Sequence, residues 1–168
     1  RWIWFVAVVT SACAGADTTS DADVLQVIIR ASPTSLDPRV GTDEQSQRVH
    51  QLIYSQLMTV DSQLRVAPGL AVRLENPDPL TYVAYLRRGV RFHDGHTLTA
   101  RDVVYTFESF LDPHFVSARR GAYRMLESVR ALDDYRVEFK LTEPFGSFPI
   151  QLVMPVVPNG AGESIRSF

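Results

Sequence analysis

The chain has 168 residues, with 17 Lys and Arg against 19 Asp and Glu, a formal net charge of −2 and 45% hydrophobic residues. That length supports one domain with a real core, and a near-neutral balance argues against a nucleic-acid partner, which requires a basic surface or stripe. The only cysteine is Cys13, so no internal disulfide can form and packing must supply the stability.

Residues 1–12 place one positive charge ahead of a short apolar run and small residues. This is the pattern of an export signal, since a membrane span needs about 20 apolar residues. Cys13 follows, and then a polar Ala, Gly, Asp, Thr and Ser stretch to Ala22. Small residues, a lone cysteine and a tether resemble a bacterial lipoprotein signal, which implies lipidation of the Cys13 thiol. An ordinary secretory peptide cleaved near Ala12 or Ala16 is the alternative.

Val24 to Arg30 is rich in β-branched apolar residues and predicts a strand buried on both faces. Ala31 to Asp43 carries Pro33, Pro38 and Gly41 and predicts a loop. From Glu44 the apolar residues Val49, Leu52, Ile53 and Leu57 recur at helical spacing, predicting a helix that ends near Met58. Turns are expected at Asp61-Ser62 and Pro68-Gly69, with only short extended pieces over residues 59–75. Asn76-Pro77-Asp78-Pro79 reads as a rigid connection outside regular structure.

Thr81 to Arg87 alternates as a strand whose two faces are both covered. The following stretch, through Phe92, reads as amphipathic strand running into an Asp94-Gly95 turn. Thr99-x-x-Asp102 is a capping box, and Ala100, Val103, Val104, Phe107 and Leu111 form one stripe of a helix that Asp112-Pro113 stops. Residues 114–124 are basic and irregular. Leu126 to Leu132 and Tyr135 to Leu141 predict a hairpin about Asp133-Asp134, with Tyr135, Val137, Phe139 and Leu141 facing inward. The fold class is mixed α/β, of the α+β kind.

His93-Asp94-x-His96 is the one cluster with metal-ligand or acid–base chemistry, and it would serve a metal-assisted hydrolase if a third ligand arrived from elsewhere. The plainer reading packs His93 beneath the turn, uses Asp94 to shape it and leaves His96 solvated. Gly160-x-Gly162 has neither a Walker lysine nor Rossmann spacing and reads as a turn. No nucleophile elbow is present.

The run Leu86-Arg87-Arg88-Gly89-Val90-Arg91-Phe92-His93-Asp94-Gly95, followed by Leu98-Thr99-Ala100-Arg101-Asp102-Val103, resembles the hallmark segment of the large extracellular solute-binding proteins of peptide, nickel and related ABC importers. Ser35-Leu36-Asp37-Pro38, Ile53-Tyr54-x-x-Leu57, Ala67-Pro68-Gly69-Leu70-Ala71 and Val137-Glu138-Phe139-Lys140-Leu141 extend the likeness over roughly residues 24–157. Arg73-Leu74 stand where that family tends to place an aromatic residue.

The resemblance implies part of the first lobe of a two-lobed, periplasmic-binding-protein-like fold, including its small appended subdomain. It divides the chain into an export signal (1–12), a tether (13–22), the start of the first lobe (23–43), the appended subdomain (44–150) and a return to the first lobe (151–168). It further implies a non-catalytic, monomeric receptor without a cofactor, outside the cytoplasmic membrane. Its partners would be a peptide or similar small solute and a membrane-embedded ABC permease. Val40, Gly41, Thr42 and Asp43 would line the cleft, with Asp43 equally able to serve as a helix N-cap. Arg119 would reach the rim and could pair with a carboxylate. Because family members are about three times longer, an N-terminal fragment that binds nothing alone is the remaining alternative.

Overall fold

The computed structural model describes residues 26–161, so the export segment, Cys13 and Gly162 lie outside the described residues. The elements in order are α1 (Glu44–Ile53), β1 (Met58–Val60), β2 (Val66–Pro68), β3 (Ala71–Asp78), β4 (Thr81–Leu86), α2 (Ala100–Glu108), a 3-10 turn (Arg120–Tyr123), β5 (Leu126–Asp133), β6 (Arg136–Leu141) and α3 (Phe148–Gln151). The expected α+β class is what is observed. Among the described residues no helix is long and apolar enough to cross a membrane.

Four antiparallel strands form the main sheet in the order β3-β4-β6-β5, and β1 with β2 makes a separate hairpin. β4 is central and buried on both faces at Tyr82, Val83 and Ala84, as its alternation predicts. The hairpin of β5 and β6 forms about Asp133-Asp134, and Val137, Phe139 and Leu141 are fully buried. α2 lies across this face with Ala100, Val103 and Phe107 at 0% exposure. Phe107 meets Phe139 edge-on at 5.1 Å, and Phe110 stacks on Tyr123 at 4.2 Å. Offset and edge-to-face aromatic pairs of this kind add roughly 0.5–1.5 kcal/mol each beyond area burial.

Thr99 and Asp102 form the expected capping box. The Asp102 carboxylate accepts from the Thr99 N–H at 2.8 Å and its hydroxyl at 3.0 Å through one oxygen, and from the Asn159 N–H at 2.9 Å through the other. Thr106 continues the same seam: its hydroxyl donates to the Asp102 carbonyl and accepts from the Val157 N–H. Asp102 and Thr106 of α2 therefore fasten Asn159 and Val157 to the core.

Several expectations are corrected. Residues 26–30 form no strand, and Val27 and Ile28 are 51% and 97% exposed. A strand needs a ladder partner, and none lies beside this run among the described residues. α1 stops at Ile53 rather than near Met58, because the backbone beyond it is claimed elsewhere: Leu57 and Met58 donate to Met154 and Leu152, while Leu70 and Ala71 donate to Gln56 and Leu57. Asn76-Pro77-Asp78 lies inside β3, where an edge position and a register shift between Glu75 and Asp78 spare the proline its missing donor. The strand through Phe92 is also absent. β4 ends at Leu86, Gly89 turns at φ +74°, and residues 90–98 form a tight hairpin with Arg91 bridging Thr97 and Gly95 at φ +87°. Where an aromatic was missing, the Arg73 guanidinium stacks over the Tyr85 ring at 3.8 Å.

Gly69 sits where three chain segments meet: a Cβ there would lie 2.6 Å from the Gln56 carbonyl oxygen and 2.9 Å from that of Leu57. These are backbone atoms and cannot rotate away. Gly69→Ala is expected to lower stability by roughly 1–3 kcal/mol through overpacking. Gly121→Ala, where a Cβ meets nothing within 4 Å, should stay within about 0.5 kcal/mol of the parent or gain slightly. Urea midpoints of the two variants decide this.

Candidate functional site

Leu36-Asp37-Pro38-Arg39 opens the loop before α1, and its charges are turned inward. Asp37 is 0% and Arg39 1% exposed. Asp37 Oδ1 accepts from the Arg39 N–H at 2.9 Å and Nε at 3.0 Å, and Oδ2 accepts from Nη2 at 2.8 Å. The guanidinium lies 5.0 Å from each of the Tyr105 and Phe115 ring centroids. Burial pulls the Arg39 pKa down, but the hydrogen bonds and charge of Asp37, with help from Tyr105, outweigh it and hold the value above the ordinary one. The pair thus locks the loop onto α2 and the segment after it.

From this anchor the chain turns tightly, with the N–H groups of Val40 and Gly41 both donating to the Asp37 carbonyl. Val40 is half-buried against the core, Gly41 is buried, and Thr42 is exposed. A Cβ on Gly41 would approach Ser35 O at 2.8 Å, Ser46 Cβ at 2.9 Å and His50 Cε1 at 3.0 Å. The glycine is therefore required by the helix it faces. Asp43 is the N-cap of α1, accepting from the Ser46 N–H at 2.9 Å. The Ser46 and Thr34 hydroxyls donate to the same carboxylate, and these bonds, that of Ser46 foremost, hold its pKa well below the usual carboxylate range.

α1 presents a polar face to the loop. Its buried residues are Ser46 and His50, whereas the expected apolar stripe is largely outside, with Leu52 60% and Ile53 39% exposed. His50 Nε2–H donates to the Ser35 carbonyl at 3.0 Å. Burial lowers its pKa, the carbonyl contact opposes this, and the positive charge of Arg119 lowers it further.

Arg119 arrives from 78 residues downstream. Ser117 Oγ donates to the Arg39 carbonyl at 2.5 Å, and Arg119 Nη2 reaches the Gly41 carbonyl at 3.5 Å. The structure thus brings together two candidates that the sequence left apart. Arg119 borders a concave cavity of about 780 Å³ lined also by one face of α1 (Gln47, His50, Gln51), by its C-cap Tyr54 and by Arg87. Of the five sequence candidates only Arg119 lines it. The missed residues carry a legible signal, because Gln47, His50, Gln51 and Tyr54 are polar or amphipathic groups at helical spacing.

The His93 cluster does not assemble. His93 and Asp94 are exposed, so His93 is not packed beneath the turn. His96 instead brings Nε2 to 3.4 Å from the buried Asp102 carboxylate and packs edge-on to Phe92. Among the described residues no group of three or more His, Cys, Asp or Glu could hold a metal ion. The metal-assisted hydrolase reading therefore gains no third ligand.

Comparison with known proteins gives a consistent picture. The family model described as bacterial extracellular solute-binding proteins, family 5 Middle, matches residues 65–163. The oligopeptide-binding protein AppA of Bacillus subtilis (strain 168) is 38% identical over 117 residues, covering 69% of this chain and 22% of its own. The solved structure of that protein with a nonapeptide superimposes with a TM-score of 0.72 at 35% identity, covering 75% of this chain and 26% of that one. The binding protein AgaA of A. tumefaciens R10, in complex with agropinic acid, gives a TM-score of 0.73 at 25% identity over 79% of this chain and 28% of its own. The chain spans about a quarter of the length of the relatives it matches.

His50 supplies a pH dependence whose sign is fixed by its lowered pKa. The folded state resists protonation, so this stabilising contribution is complete above the unfolded value of about 6.5 and is lost as pH falls from there toward the lower folded value. Between about pH 7.5 and about pH 5 the parent chain should lose more stability than His50→Gln, which keeps a donor near Nε2 but does not titrate. Urea midpoints at the two pH values measure the difference, and parallel losses would remove His50 as the cause.

Proposed function

The chain belongs to the bacterial extracellular solute-binding proteins of family 5, and from that premise we propose that residues 26–161 supply one wall of a cleft that captures a peptide or similar small solute. The observation that carries this reading is the concave cavity between α1 and Arg119, whose walls are fixed by the Asp37–Arg39 pair and the Ser117 contact to Arg39. Ligand pockets are concave, largely preformed and furnished with a few convergent polar groups, and this surface has that character. The relatives bound to a nonapeptide and to agropinic acid support solutes of this size.

In this reading the chain does no chemistry and holds no cofactor. It acts by enclosure, and a second lobe supplies the facing wall and much of the specificity. Residues 23–43 and 151–168 belong to the first lobe proper, and 44–150 to its appended subdomain. Val40, Gly41, Thr42 and Asp43 contribute by shaping the loop that backs the wall, and Thr42 is the exposed member. The protein is exported, held at the outer face of the cytoplasmic membrane through lipidated Cys13, and delivers its solute as a monomer to a membrane-embedded ABC permease.

One wall alone leaves half the solute in water, and association carries an entropic cost of at least about 4 kcal/mol before any net affinity appears. The 168-residue chain should therefore bind a mixed peptide library weakly by calorimetry. A chimaera in which residues 26–161 replace the matching stretch of the Bacillus subtilis relative should bind its nonapeptide in the micromolar range or better. A folded chimaera without affinity would contradict the proposal.

A further inference from the structure

We propose that the cavity between α1 and Arg119 recognises a carboxylate, so that an anionic end of the solute is held in this chain's own wall. The inference deepens the solute-capture reading and rests on it. Sixteen residues line the cavity; Arg87 and Arg119 are among them, and no Asp or Glu is. The other polar lining residues are Gln47, Gln51, Tyr54, Ser55, Gln56, Thr59 and His50, and burial lowers the pKa of His50.

Neither arginine lies within ion-pair distance of a carboxylate among the described residues. Arg119 Nε is buried and has no hydrogen-bond partner, and Nη2 only reaches the Gly41 carbonyl at 3.5 Å. Arg87 Nη2 likewise reaches the Gly69 carbonyl at 3.5 Å. This contrasts with Arg39, two residues before Gly41, whose guanidinium is satisfied by Asp37. The same fold therefore neutralises one inward arginine fully and leaves another without a counter-charge where it borders open space.

A guanidinium with unsatisfied donors is costly to hold away from water, and a carboxylate is the group that matches its fork with two charge-assisted bonds. Two arginines lining a cavity without acids also disfavour a cationic group there. An amine terminus is therefore excluded from this wall, and the orientation of a peptide-like solute follows: its carboxylate toward Arg119 and Arg87, its amine toward the facing lobe.

The test uses the 168-residue chain and two probes that differ only in charge, acetyl-trialanine as the free acid and as the C-terminal amide. Arginine side-chain Nε–H signals are followed by NMR at millimolar probe. The free acid should shift the Arg119 signal saturably and the amide at least about tenfold more weakly, as expected for loss of a charge-assisted pair. Followed at the Arg87 Nε–H signal, the free-acid shift should be abolished by Arg119→Gln and partly retained by Arg119→Lys. Arg87→Gln, a change at an exposed side chain, should weaken the shift of the Arg119 signal several-fold with the rest of the spectrum unchanged.

Equal saturable shifts with both probes would leave solute capture standing and overturn carboxylate recognition. No shift of Arg119 with either probe, beside a chimaera that binds nonapeptide, would also overturn this inference alone. Loss of binding in both experiments would overturn the two together.

Discussion

The fully buried ion pair of Asp37 with Arg39 is the constraint on which the rest of this surface depends. Two charges at 0% and 1% exposure are tolerable only because each is satisfied: Asp37 accepts three hydrogen bonds from Arg39, and the guanidinium lies near two aromatic rings. Removing one partner of such a pair strands the other and typically costs about 3–5 kcal/mol. The pair also fixes geometry. With Arg39 held against Tyr105 and Phe115, its carbonyl meets Ser117, the Gly41 carbonyl meets Arg119, and the loop closes on Ser46 and His50 of α1. One wall of the cavity follows from these contacts.

A second polar node sits at the N-terminus of α2. Asp102 is wholly buried, yet its carboxylate caps α2, fastens Asn159 and meets His96 from the 90–98 hairpin. The residues that look most chemical in the sequence, His93-Asp94-x-His96, thus serve the fold: His96 meets Asp102, and Asp94 shapes the turn by accepting from the His96 N–H. The segment carrying the strongest family likeness is largely architecture, and it also contributes Arg87 and Val90 to the cavity lining.

Local signals were read correctly where local physics decides the outcome. The Thr99-x-x-Asp102 box, the period of two in β6 and the turn at Gly95 each encode their conformation in a few neighbouring residues. The failures share a different cause. Helix α1 stops early because residues 152–156 and 70–71 claim the backbone of residues 55–58, a competition invisible to periodicity. Leu52 and Ile53 suggested a buried stripe, but the loop at 35–43 selected Ser46 and His50 instead. Pro77 lies in a strand because β3 is an edge, which only topology reveals. Residues 26–30 carry strand composition and lack a ladder among the described residues. At the site, only the family resemblance nominates Arg119, as a cation near the cleft rim. Its junction with Gly41 depends on contacts 78 residues apart, and so was not legible.

The central claim is that this chain forms one preorganised wall of a solute cleft, fixed before the solute arrives. A crystal structure of the chimaera with nonapeptide bound tests it most directly. The account predicts solute density against α1 and Arg119, with the Asp37–Arg39 pair and the loop to Asp43 within about 1 Å of their positions here, as in preorganised complexes. Solute density away from this wall, or a loop rebuilt around the solute, would contradict it.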